Sequence, residues 1–314
     1  MNLQSIIVIN PYCHQGLGWR RWLSVKETVQ KLVPGPIREI ILERGLSLEE
    51  RLSHLLHPQE EQLIVSAGGD GSIHFLVNSL INSFSHVLEK ITFGAIGLGS
   101  SNDFLKPFNQ KIDKIPVRIQ RDGPVLHHDV GVVKYQNGDQ HYHKKYFIVN
   151  ASFGVTARAN WEFNQPGKIL QVLKKYSTDS AILYAAIQTI IKYKNTDCRI
   201  EYGDVDGVMN ISNINILKNP NVSGSFKYPQ QIFPDDGRLG LNICHDMSKK
   251  ELLMTLLQLG KGKFLPDEKK ISTYTASLQL CSASPIIFEC DGETEKANYI
   301  TISILPKAIK ILTS

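Results

Sequence analysis

The chain has 314 residues, of which 42% are hydrophobic and 21% charged, a globular mix that excludes disorder, collagen and coiled coil. At roughly 150 residues per domain, this length suggests about two domains, and a chain of this size buries enough surface to need no disulfide or metal staple. Lys and Arg number 35 against 30 Asp and Glu, a net charge of +5, which permits an anionic partner without selecting nucleotide, membrane surface or nucleic acid.

The opening MNLQSIIVIN has no basic n-region and too short an apolar stretch for a signal peptide. Residues 6–9 read as a β-branched strand. Residues 19–33 carry helical spacing and stop at Pro34, Gly35 and Pro36. A second strand is predicted over 37–42. Ser47-Leu-Glu-Glu50 has capping-box spacing and opens a helix toward Leu56. A third strand covers 63–67, a glycine-rich turn and a helix over 73–81 follow, and 91–96 is a fourth strand. Alternating strands and helices imply crossovers and a parallel sheet.

The texture changes after about residue 123. Strands over 130–135 and 142–149 flank Asn137-Gly138, a strong hairpin signal. A long helix is expected over 169–194. From 198 onward strands dominate (198–202, 208–217, 239–244, 272–281, 286–289, 299–304 and 309–312), with one helix over 249–259. The expected architecture is α/β plus β-rich. An N-terminal open parallel α/β domain spans 1–123, and an antiparallel, β-sandwich-like domain spans 124–304. The final strand, about 305–314, can return to the first domain.

Five cysteines (13, 198, 244, 281 and 290) form no C-x-x-C pair, which suits inert thiols in a reducing cytosol better than disulfides or a zinc ribbon. The longest apolar stretch, 181–191, is shorter than the roughly 18–20 residues that a membrane span needs. A cytoplasmic protein with at most peripheral contact at the inner membrane face is expected.

The most informative segment is Ser66-Ala-Gly-Gly-Asp-Gly-Ser72, directly after the third strand. Glycines bring bare N–H groups close to an anion, and a following helix N-terminus adds positive potential. Asp70 beside a phosphate site calls for a bridging cation; the plainer reading is a tight turn capped by Asp70. A second turn, Gly97-Leu-Gly-Ser-Ser-Asn-Asp-Phe104, follows the fourth strand. Carboxyl ends of neighbouring parallel strands converge on one crevice, so the two turns can share a nucleotide. The first strand ends in Asn10-Pro-Tyr-Cys-His-Gln-Gly-Leu-Gly, with Arg21 where a dinucleotide fingerprint wants glycine. No P-loop, H-E-x-x-H or G-x-S-x-G motif occurs. His127, His128, His141 and His143 flank the predicted hairpin without an acid or thiol to complete a ligand set. The lysines around the late helix read as a solvated face.

Asn10-Pro11, Gly-Gly-Asp-Gly-Ser at 68–72, Gly-Ser-Ser-Asn-Asp-Phe at 99–104 and Asp291-Gly-Glu293, in this order, resemble the diacylglycerol kinase catalytic-domain superfamily of bacterial lipid kinases and sphingosine and ceramide kinases. The resemblance covers nearly the whole chain. It implies an active site in a cleft between the two domains, and transfer of the ATP γ-phosphate to a lipid hydroxyl with magnesium. It assigns nucleotide contacts to Asn10, Pro11, Tyr12, Cys13, His14, Gly68, Gly69, Asp70, Gly71, Ser72, Gly99, Ser100 and Asn102. Asp70, Asp103 and Asp129 would organise magnesium through water, Asp236 and Arg238 would bind a structural magnesium, and Glu293 would be the general base, with Asp70 also catalytic. Cys13-His14, His74-Phe75 and Arg238 depart from the usual pattern. Partners implied are a lipid at a membrane surface and no nucleic acid, and the sequence leaves a homodimer open. The alternatives are an NAD kinase-like small-molecule kinase and a non-catalytic lipid- or nucleotide-binding regulator.

Overall fold

The computed structural model describes residues 4–120, 124–136, 141–165, 170 and 178–313. It divides into two compact units, Met1–Asp129 with Pro306–Ser314, and Val130–Leu305.

In the first unit, β1 (Gln4–Ile9), β2 (Ile37–Ile41), β3 (Gln62–Gly68) and β4 (Ile91–Gly97) form a parallel sheet in the order β2-β1-β3-β4. Lys310 and Ile311 continue it as a parallel neighbour of β4, opposite Thr92 and Phe93. β5 (Lys111–Ile112) pairs with β6 (Ile115–Arg118), which runs antiparallel to the far half of β4. Ile6, Ile7 and Ile9 are all fully buried, as expected of a strand covered on both faces. Helix α1 (Gly18–Leu32) turns Trp22, Val25 and Val29 inward at three- and four-residue spacing, against Ile7, Val65 and Leu312. Helix α2 (Leu48–Ser53) is capped by Ser47, whose Oγ accepts from Glu50 N at 3.2 Å; it ends three residues short of the expected Leu56. Helix α3 (Asp70–Ser83) starts three residues earlier than its apolar pattern suggests, because its first turn is the glycine-rich segment itself.

The second unit contains most of β7 (Val125–Gln136), then β8 (Tyr142–Phe147), β9 (Asn150–Gly154), helix α4 (Val155–Asn164), helix α5 (Thr178–Lys192), β10 (Thr196–Tyr202) and β11 (Val205–Leu217). A short hairpin, β12 (Asn221–Val222) and β13 (Phe226–Lys227), leads to β14 (Leu239–His245), helix α6 (Lys249–Leu259), β15 (Lys270–Thr275), β16 (Ser277–Cys290) and the larger part of β17 (Glu293–Leu312), whose residues from Pro306 on belong to the first unit. The expected Asn137-Gly138 turn lies outside the described residues, as do residues 169 and 171–177 of the helix expected over 169–194.

The strands from β15 through β14, β11, β10, β16 and β17 pair antiparallel in that order. β11 and β16 are bulged, at Ile211/Asn213 and Cys281/Ile286. A bulge bends a strand and lets it change neighbours. Here the two bulged strands hold β10 between them on one side of the bulges and β9 on the other. Phe153, Ile214, Leu241, Phe288 and Ile300 fill the core this encloses. Gly131 is required where β7 meets β8, because a Cβ there would lie 2.0 Å from the Phe147 ring. Ser248 and Glu251 form a reciprocal capping box at the start of α6. Among the described residues no helix is long and apolar enough to cross a membrane.

Candidate active site

In the first unit the two glycine turns, at the carboxyl ends of adjacent strands β3 and β4, are fastened together. The N–H groups of Leu98 and Gly99 donate to Gly68 O at 2.8 and 3.2 Å. The two chains meet so closely that a Cβ on Gly99 would stand 2.5 Å from Gly69 Cα. Asp70 completes the link, since its two carboxylate oxygens accept from Asp103 N and Phe104 N, each at 3.0 Å. Asn102, in the left-handed region at φ 51°, folds its side chain back. Its Oδ1 accepts from Gly99 N at 3.1 Å, and its Nδ2 donates to Gly99 O at 3.0 Å.

The end of β1 joins the same cluster. Asn10 Nδ2 donates to Ser72 Oγ at 2.9 Å, and Asn10 Oδ1 accepts from Tyr12 N at 3.0 Å. Pro11 O accepts from Trp19 N at 3.2 Å, which closes the loop onto α1. Arg21 reaches from α1 to Gly97 O at 3.3 Å and stands 3.3 Å from His14 Nδ1. Cys13 is not poised as a nucleophile: burial pushes its thiol up to about 11, against the opposing pull of Arg21. Tyr12, Gly71 and Ser100 are exposed, so the cluster presents a face to solvent. The cluster includes the N-terminus of α3, the end of a helix that favours an anion, with Ser72 N donating to Gly69 O at 2.9 Å. The structure therefore brings Asn10, Gly68, Gly69, Asp70, Ser72, Gly99, Asn102 and Asp103 into one bonded constellation.

The acids are engaged as acceptors. Asp103 Oδ1 is 2.8 Å from Lys106 Nζ, both largely buried. Asp129 is fully buried, and its Oδ1 accepts from Lys307 N at 2.8 Å, which ties β7 to β17. Among the described residues no group of three His, Cys, Asp or Glu side chains is placed to hold a metal ion. Of the hairpin histidines, His128 is buried and its ring nitrogen Nδ1 meets Asp129 O, while His143 stacks on Tyr135 at 5.4 Å.

In the second unit, Asp291-Gly292 is the tight turn between β16 and β17, and Glu293 is the first residue of β17. Asp291 sits at φ 47° and Gly292 at φ 95°. The buried Asp291 carboxylate accepts from the N–H groups of Ile148, Val149 and Asn150 at 2.9 to 3.0 Å. Behind it lies Glu289, which accepts from Ser152 Oγ at 2.6 Å, from Asn150 Nδ2 at 3.1 Å and from Gly292 N. Asn164 Nδ2 holds Gly292 O at 3.0 Å. The turn is thus rigidly based, and it leaves Glu293 exposed. Sequence reasoning missed Glu289, because Phe288, Glu289 and Cys290 are all at most 1% exposed and no alternation marks the acid as inward. Asp236 and Arg238 lie elsewhere in this unit, around the ammonium of Lys218.

A mainly apolar cavity of about 70 Å³ lies between α4, α5 and α6. Val155, Ala159, Phe163, Ile182, Phe226 and Leu256 line it, together with the polar Asn215, Thr156 and Tyr228. Asn215 Nδ2 donates to Tyr228 OH at 2.8 Å.

Two family models match the chain. The diacylglycerol kinase catalytic domain matches residues 4–132, and the YegS C-terminal NAD kinase beta sandwich-like domain matches residues 150–313. A Staphylococcus haemolyticus protein named as a lipid kinase is 24% identical over 274 residues, covering 84% of this chain and 80% of that one. A diacylglycerol kinase of Staphylococcus epidermidis is 24% identical over 237 residues, covering 74% of this chain and 68% of that one. The crystal structure of a Bacillus anthracis diacylglycerol kinase has the same fold, with a TM-score of 0.67 at 14% identity, covering 100% of this chain and 97% of the other. The departures at Cys13, His14, His74 and Phe75 leave the bonded constellation intact.

Proposed function

The chain belongs to the diacylglycerol kinase catalytic-domain superfamily, and on that premise we propose that it is an ATP-dependent lipid kinase, transferring the γ-phosphate to a lipid hydroxyl with magnesium. The observation that carries this reading is the fastening of the two glycine turns by Asp70 and by the Gly69–Gly99 contact. Phosphoryl transfer needs positioning and charge neutralisation more than covalent help. In this reading the N–H groups around Gly69 to Ser72, with Ser100, hold the nucleotide phosphates.

The donors around the turns fit magnesium in kind. Asp70 accepts from the backbone N–H of Asp103, so the two acids are neighbours, and carboxylates with serine hydroxyls are hard oxygen ligands. Bound through water to Asp70 and Asp103, magnesium would supply charge neutralisation at the phosphates. Asp129 also accepts a backbone bond, from Lys307 N to its Oδ1, and in this reading it is a third acid that would meet magnesium through water. Glu293, on its braced turn, accepts the proton of the lipid hydroxyl. The apolar cavity of the second unit suits part of an acyl chain.

The test is ATP consumption with magnesium over mixed lipid micelles, run beside NAD and a control without acceptor. Lipid-dependent turnover, with a product heavier by one phosphate, is expected. Turnover with NAD alone makes the protein a small-molecule kinase. ATP binding with no turnover on any acceptor makes it a regulator.

A further inference from the structure

Lys218 follows β11 directly, and its side chain is fully enclosed, 0% exposed. Its ammonium donates to the carbonyl oxygens of Phe233 at 2.8 Å and Arg238 at 3.1 Å, and lies 3.5 Å from Asp236 Oδ1. Its own backbone is pinned by Lys218 N donating to Val149 O at 2.8 Å. The segment it grips, between β13 and β14, has no helix or strand and turns at Gly237, φ 66°. Asp236 is held in turn by the backbone N–H of Arg238 at 3.1 Å and by its guanidinium at 3.3 Å.

Two carbonyls and a carboxylate converging on one point are the ligands a hard divalent cation would take. The resemblance expects a structural magnesium on Asp236 and Arg238, and the residues do not fit one. The point of convergence is taken by a nitrogen that already carries a positive charge. A second cation there would meet like-charge repulsion in a poorly solvated place. Lysine is almost never fully buried unless it is paired, and this ammonium is paired with the oxygens of Phe233, Asp236 and Arg238.

We propose that Lys218 is the resident cation of this loop: its ammonium fastens residues 233–238 to the end of β11 and replaces a bound divalent ion at Asp236. The stability of the second unit is then independent of magnesium, and any magnesium the protein needs belongs to its chemistry.

Thermal unfolding of the full chain without nucleotide tests this, in EDTA and in millimolar magnesium. The wild-type midpoint is expected to be the same in both. Lys218→Met, which keeps the stem and removes the charge, is expected to melt at least about 5 °C lower, because it leaves a carboxylate and two carbonyls without their cation. Adding Asp236→Asn to Lys218→Met is expected to recover part of that loss. A wild-type midpoint that falls in EDTA, with the fall abolished by Asp236→Asn, would overturn the proposal even if Lys218→Met does not fold. So would a Lys218→Met protein that melts with the wild type.

Discussion

Glu289 makes the stability of this protein depend on pH in a way that one substitution removes. The side chain is 1% exposed. Burial raises its carboxyl from 4.5 to about 7; the bonds from Ser152, Gly292 and Asn150 pull it down less than burial pushes it up, and Asp291 adds repulsion. The unfolded chain loses this proton near 4.5 and the folded chain near 7, so between those values the folded state holds more protons. Its contribution is complete below about pH 4.5 and is lost as the pH rises toward about 7. The full loss is about 3 kcal/mol, a large share of an ordinary domain's stability. Glu289→Gln stays neutral throughout. Urea unfolding of both proteins across this window should show the variant gaining about 3 kcal/mol on the wild type as the pH rises. A gap that stays flat across the window refutes the reasoning.

Glu293→Gln should lower lipid phosphorylation about 10²–10⁴-fold with unchanged melting, since the side chain is exposed on a turn held by its neighbours. Asp70→Ala should abolish turnover and cost about 2–3 kcal/mol by stranding the N–H groups of Asp103 and Phe104; full activity in either variant removes these assignments. Gly99→Ala puts a methyl 2.5 Å from Gly69 Cα, and should cost about 1–3 kcal/mol while weakening nucleotide binding, measured by calorimetry. Of the five free thiols, Cys281 is exposed, whereas burial holds Cys13 and Cys198 up at about 11 and Cys244 at about 12. Cys290 is fully buried and also raised. A thiol reagent at mildly alkaline pH should therefore find one fast site, and two or more contradict the burial argument.

Much of the first unit is legible because β1 and β3 carry apolar runs, the latter bounded by the Gly68 turn, and because strands and helices alternate along it. Helix α6, expected over 249–259, is Lys249–Leu259 in the structure, where the capping box of Ser248 and Glu251 marks its start. Helix α4 was not legible. Its ten residues, Val155–Asn164, mix Thr, Arg, Asn and Trp without a clear apolar stripe, and only Val155 and Ala157 are buried. The predicted break near Pro306 is another difference. Residues 299–304 and 309–312 are one strand, β17, carried through Lys307 at φ 50° by the bond from its N–H to Asp129. A partner 178 residues away leaves no local mark. The glycine turns could be read because glycine clusters are rare and directional. Glu289, Lys218 and Arg21 escaped because their roles come from neighbours distant in sequence.

The placement of the last strand bears on how the molecule is made. Leu312 is fully buried among Ile7, Trp22 and Val65, yet during synthesis it emerges after all of Val130–Leu305. The first unit therefore cannot finish its sheet while it is the only part of the chain outside the ribosome. The edge of β4 at Thr92 and Phe93 waits, unpaired on that side, until the second unit has been translated in full. An open edge strand is a site for wrong pairing. The two units are thus coupled in time through a single short segment, and a chain stopped at residue 305 would keep every glycine turn while lacking the strand that closes their sheet.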